Sequence, residues 1–144
     1  MVQTPSDHRQ SAADLMDAFN RASWNRFRAI VAHDVVYNEI GTGRHIEGVN
    51  GYIKTLVTWK QAFPDARGII LATIAGDDTI AQRLNFRGTH TGPLQTPFRT
   101  IEPSEKRVSV EASVWYRYEG DAIIEIYHYL DVLTLLRQIG ALPE

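Results

Sequence analysis

Residues 107–131 read RVSVEASVWYRYEGDAIIEIYHYLD. A long strand runs from Arg107 to Tyr118, a second from Ala122 to Tyr129, and Glu119-Gly120-Asp121 turns between them, which is the pattern of a β-hairpin. Strand side chains alternate, so Val108, Val110, Ala112, Val114, Tyr116 and Tyr118 share one face against Glu111, Ser113, Trp115 and Arg117. On the second strand Ile124, Ile126 and His128 share a face, opposite Ile123, Glu125, Tyr127 and Tyr129. The faces of Val114 and Ile124 are expected to turn inward together. His128 is then a lone titratable group at the end of an apolar wall.

Beyond the hairpin, Asp131 precedes a short apolar stripe as a helix cap, and Gly140 ends that helix. Upstream, Arg67 to Ala75 and Thr79 to His90 are two further strands joined by Gly76-Asp77-Asp78. A loop carrying Pro93, Pro97 and Pro103 follows them. The first half is helical. Leu15, Met16, Phe19 and Ala22 make one stripe, and Ser23 caps a second built on Trp24, Phe27, Ile30 and Val31. Val35 to Ile40 is a short strand ending in Gly41-Thr42-Gly43. A third helix runs from about Val49 to Phe63 and stops at Pro64. Residues 1–10 read as a mobile arm. Helices first and long antiparallel strands second predict an α+β fold, with N-terminal helices packed on one face of a curved sheet around a cone-shaped pocket.

The chain has 144 residues, which suits one domain over residues 1–144, and 44% of them are hydrophobic, enough for a core. It contains no cysteine, which excludes disulfides, thiolate nucleophiles and cysteine-based metal centres. A formal charge of -2 gives no basic surface for nucleic acid. No stretch approaches the roughly 20 apolar residues of a membrane span, and the start lacks a signal-peptide run. A soluble, cytoplasmic protein is the expectation.

Leu56-Val57-Thr58-Trp59 with Phe63-Pro64-Asp65, Phe86-Arg87-Gly88-Thr89-His90-Thr91-Gly92, Tyr116-Arg117-Tyr118 with Ile123 and Glu125, and Leu136-Arg137-Gln138-Ile139-Gly140 follow one another in a characteristic order. In this the chain resembles the SnoaL-like polyketide cyclases, within the wider group shaped like nuclear transport factor 2. The resemblance implies a small-molecule pocket and acid–base chemistry without metal or cofactor, the cyclases closing a ring by intramolecular aldol condensation. It also implies the site. In the cyclases a catalytic aspartate stands three residues before the aspartate opening the final helix, and that position here is His128. An imidazole thus replaces the carboxylate. Free aspartate titrates near 3.9 and must be desolvated to act as a base, whereas histidine, near 6.5, is already poised.

The other candidates divide between chemistry and packing. Asp131 is either a cap or a second catalytic group that orients His128. Ala112 and Val114 stand where the cyclases carry polar residues, so the wall is dry and suits a hydrophobic ligand. Ile126 shares that wall. Tyr37 or Tyr116 is positioned to polarise a carbonyl. Trp59 is read as pocket lining or core, Phe86 as substrate-binding, and His90 as reaching the pocket mouth or holding a turn. His8, His33 and His45 read as surface residues. Arg83-Leu84-Asn85 lacks the aspartate that related epoxide hydrolases pair with arginine, so that hydrolysis route is not expected. No histidine pair has metal-ligand spacing with a carboxylate, so no metal is assigned.

These readings converge on a cofactor-independent enzyme acting on a hydrophobic polyketide-like substrate. A non-catalytic ligand-binding domain, or an isomerase or dehydratase using the same histidine, are the alternatives. Trp115 on the outer sheet face suggests a homodimer.

Overall fold

Six strands form the main sheet in the order β2-β1-β8-β7-β4-β3, with the quoted hairpin, β7 (Arg107–Glu119) and β8 (Ala122–Leu130), at its centre. The computed structural model describes residues 5–142, with side chains from residue 7 onward. The remaining strands are β1 (Val31–Glu39), β2 (Arg44–Glu47), β3 (Arg67–Ala75) and β4 (Thr79–Thr89). Helices α1 (Pro5–Asn20), α2 (Trp24–Ile30) and α3 (Val49–Ala62) pack on the inner face, and α4 (Val132–Gln138) follows the hairpin. The α+β class and the curved sheet hold, but the sheet is mixed rather than antiparallel, because β1 lies parallel to β8. That pairing carries the N-terminal strand into the middle of the sheet, beside the last one.

Four local expectations are corrected. Residues 5–10, expected as part of an arm, are helical: α1 starts at Pro5, whose fixed φ suits a first helical position, while residues 1–4 lie outside the described residues. His8 is not a surface group. It is 3% exposed, stacks on Tyr118 with centroids 4.1 Å apart, and donates from Nε2 to the Gly120 carbonyl at 2.9 Å. Val31 opens β1 instead of closing α2, pairing with Ile123. Finally, Ile124 does not share a face with Ile126. Tyr118 pairs with Ile123 but Arg117 pairs with Glu125, so Ile124 is an extra residue on β8. This bulge swaps the parity, and it is Ile123 and Ile126 that are fully buried.

The proline-bearing loop contains a small ribbon, β5 (Leu94–Gln95) with β6 (Thr100–Ile101). It is anchored at the end of α3. The Thr91 and Gly92 amides both donate to the Ala62 carbonyl at 3.1 Å. A Cβ on Gly92 would collide with the Gln61 carbonyl oxygen, and one on Gly88 would come within 3.0 Å of Phe63 Cβ. The two glycines of the 88–92 segment are therefore there for close approach of backbone to helix.

The core has two lobes. One gathers Leu15, Phe27, Tyr52, Val114 and Ile126; the other gathers Phe63, Phe86, Val110 and Leu135. Each fully buried large side chain contributes about 1.5–3 kcal/mol. Among the described residues, no helix is long and apolar enough to cross a membrane.

Candidate active site

A cavity of about 290 Å³ opens between the inner sheet face and α1, α3 and α4. Its walls are mostly apolar: Leu84, Ala112, Val114 and Leu135 from the sheet and α4, with Trp59 and Phe86 beyond. Trp59 and Phe86 meet with ring centroids 4.7 Å apart, and each also packs on Phe63.

One corner holds a connected chain of polar groups. β1 and β8 run parallel there, with Tyr37 beside Ile126 and Glu39 beside His128. Residues paired in this way present their side chains on the same side of the sheet. The Tyr37 hydroxyl donates to Glu39 Oε2 at 2.6 Å and lies 2.9 Å from His128 Nδ1. Glu39 is 7% exposed, and its other oxygen accepts from Thr42 Oγ1 at 2.7 Å and from Arg44 Nη1 at 3.2 Å. Tyr52 of α3 stacks on Tyr37 at 4.5 Å between centroids and holds the phenol against the sheet. His128 is half-buried, and its accessible surface belongs to the cavity. Nε2 has no hydrogen-bond partner among the described residues and is not sealed off.

Burial is the main influence on these groups. It pulls His128 below the usual histidine range, while the Glu39 charge pushes the other way. It raises the phenols of Tyr37, Tyr52 and Tyr116, so all three stay protonated near neutrality. The corner thus offers a neutral imidazole with one free nitrogen, a hydroxyl held by a buried carboxylate, and dry walls around both. Such an arrangement can move a proton to or from a carbon or oxygen of an apolar ligand.

The sequence profile of the SnoaL-like polyketide cyclases matches residues 10–139. The chain belongs to that family. A candidate SnoaL-like polyketide cyclase from Jannaschia sp. CCS1 superimposes with a TM-score of 0.85 at 18% identity, over 96% of this chain and 94% of that one. IdmH, a candidate polyketide cyclase from Streptomyces antibioticus, gives 0.79 at 24% identity, over 96% and 99%. AclR from Streptomyces galilaeus, described as a candidate hydroxylase, gives 0.81 at 20%, over 96% and 84%. Likeness at these identities shows the shared fold, and the different descriptions show that the cyclase fold alone does not name a reaction. No curated protein matches the chain.

Within this SnoaL-like cavity the structure brings together most of the residues singled out from sequence. His128, Tyr37, Tyr116, Ala112, Val114, Trp59 and Phe86 all line it. Three do not. Asp131 is exposed and caps α4, accepting from the Thr134 amide at 3.1 Å and from Thr134 Oγ1 at 2.6 Å. Those bonds hold its carboxyl below the usual range and engage both of its oxygens with Thr134. His90 is fully buried outside the cavity, where its Nδ1 accepts from the Ser104 amide at 3.1 Å, so it holds the loop after β4. Ile126 is core, behind the cavity wall.

Two residues of the corner were missed, Glu39 and Arg44. Glu39 carried a signal. Val35, Tyr37 and Glu39 share a strand face, and a carboxylate on an otherwise apolar inner face needs partners. Arg44 carried none, because β2 is a four-residue strand without an apolar run.

Proposed function

We propose that the protein is an acid–base enzyme of the cyclase kind that uses no cofactor and takes His128 as its base. The observation that carries this reading is the open Nε2 of His128 on the cavity wall, with Nδ1 held by Tyr37. Nε2 takes a proton from a carbon next to a carbonyl. The enolate attacks a second carbonyl of the same folded substrate, forming one carbon–carbon bond. The imidazolium then returns its proton to the resulting alkoxide, so the enzyme ends as it began. The Tyr116 phenol, kept protonated by burial, is the available donor to the first carbonyl oxygen. The apolar walls favour a hydrophobic, polyketide-like substrate.

Exchange of carbon-bound hydrogen for deuterium in a 1,3-dicarbonyl probe, followed by NMR, tests the first step. Wild type should accelerate it and His128→Ala should not.

One observation supports a second reading. Ala112 and Val114, on the strand next to His128, add no polar group of their own to orient a carbonyl. A domain that only shelters a hydrophobic ligand would bind the probe equally well in both proteins and exchange it in neither. An isomerase or dehydratase would begin with the same proton transfer and differ in product.

The working form proposed is a homodimer through the outer sheet face, where Trp115, Tyr127 and Tyr129 stand 47%, 38% and 45% exposed.

A further inference from the structure

A neutral imidazole has one N–H, and His128 serves as a base at Nε2 only if that hydrogen sits on Nδ1. In water the hydrogen prefers Nε2. Something in the site must reverse that preference, and the hydrogen-bond chain identifies it.

Glu39 is buried with Arg44 as its charge partner at 3.2 Å, and Thr42 donates to the same oxygen. A carboxylate only accepts, so at 2.6 Å the single hydrogen of Tyr37 is committed to Glu39 Oε2. The Tyr37 oxygen then has only lone pairs left for His128. At 2.9 Å the contact with Nδ1 is a hydrogen bond only if Nδ1 donates. We infer that Glu39 is a positioning residue for His128, acting through Tyr37 to fix the Nδ1–H tautomer and leave the Nε2 lone pair facing the cavity. The inference rests on the reading of His128 as the base, and it adds where the base gets its direction.

The chain does a second thing during turnover. When Nε2 takes the substrate proton, the imidazolium lies two hydrogen bonds from a buried anion, and every link in between already points the right way. Nothing has to reorient. The other titratable or charged groups lining this cavity are the phenol of Tyr52 and the ammonium of Lys54 from α3, the phenol of Tyr116 from β7, and Arg44 from β2. Ala112, Val114 and Leu135 complete it without charge. Among the described residues, Glu39 is the one carboxylate lining the cavity.

Nitrogen-15 NMR of the ligand-free protein tests this without any substrate. In wild type the His128 ring should show Nδ1 protonated and Nε2 bare near neutral pH. Tyr37→Phe leaves Glu39, Thr42 and Arg44 in place and should shift the ring toward the Nε2–H form. Glu39→Gln should lower the titration midpoint of His128 by about one pH unit, since an opposing charge has gone. On an active substrate, Glu39→Gln should reduce kcat about tenfold or more with KM little changed, and its acid limb should move to lower pH. If His128 in folded Tyr37→Phe keeps its wild-type tautomer, the inference is overturned. Should Glu39→Gln not fold, Tyr37→Phe decides alone. The base reading fails separately: if His128→Ala turns over substrate like wild type, His128 is not the base, whatever tautomer the spectra show.

Discussion

Glu39 and His128 are direct partners across the parallel β1–β8 ladder, so a buried carboxylate and a half-buried imidazole share one face of the sheet with the Tyr37 hydroxyl between them. Neither the distance between their strands in sequence nor the type of either residue announces this. It follows from the parallel register.

Activity should rise with pH and then level, because only neutral His128 accepts a proton. The midpoint should lie below the ordinary histidine value of about 6.5, since burial disfavours the charged ring more than Glu39 favours it. His128→Ala should lose about 10²–10⁴-fold in rate while still binding ligand. Turnover against pH, with calorimetric binding alongside, checks both.

Stability should fall on mild acidification. The folded-state pKa of His128 is lowered, so below pH ~6.5 the unfolded chain binds protons that the folded chain resists. Stability is therefore full above that pH and is lost as pH falls toward the folded-state pKa, below which the loss is complete. His90 is lowered too and adds to the same window. Urea midpoints at a series of pH values should show this slope, and His128→Gln should flatten part of it. An unchanged slope would show that His128 titrates alike in both states.

Asp131 should behave as a cap. Asparagine caps nearly as well, so Asp131→Asn should keep most thermal stability, whereas Asp131→Ala should lower Tm by about a few degrees. Both variants should retain activity. A large rate loss in Asp131→Asn would return the residue to the chemistry.

Gly92→Ala should destabilise by about 1–3 kcal/mol, because the new methyl meets the Gln61 carbonyl and the helix end must shift. Gly43→Ala offers a comparison: its φ of 76° is costly, but the space around it is open. Chemical denaturation of both separates close approach from backbone strain.

Trp115→Glu should turn the proposed dimer into a monomer, read by sedimentation velocity, with the cavity intact and the far-ultraviolet dichroism unchanged. A wild type that sediments as a monomer would remove the outer face from consideration.

Much of this was readable in the chain. The helical stripes, the four long strands and the inward face of β7 all follow from periodicity, because each is long enough to repeat its pattern several times. What was not readable depends on pairing. The Ile124 bulge is invisible to a strict two-residue period, since one inserted residue leaves the composition untouched. The parallel neighbour of β8 could not be named from β8 itself, so Tyr37 was found and Glu39, two residues on, was not. His8 looked exposed because its neighbours are polar, yet the aromatic ring that covers it lies 110 residues away. Asp131 was legible in both senses, and only its two bonds to Thr134, outside the cavity lining, decided between them.

The β1–β8 pairing also governs when the site comes into being. Tyr37 and His128 are 91 positions apart, and no shorter loop brings them together. Closing so long a loop costs chain entropy before the contact repays it, whereas the helices and the β7–β8 hairpin need only local closure. A nascent or nicked molecule can therefore hold much of its secondary structure and still have no acid–base corner. Ligand capture becomes a readout of completed assembly, and a tight ligand would act as a pharmacological chaperone by drawing the population toward the finished fold.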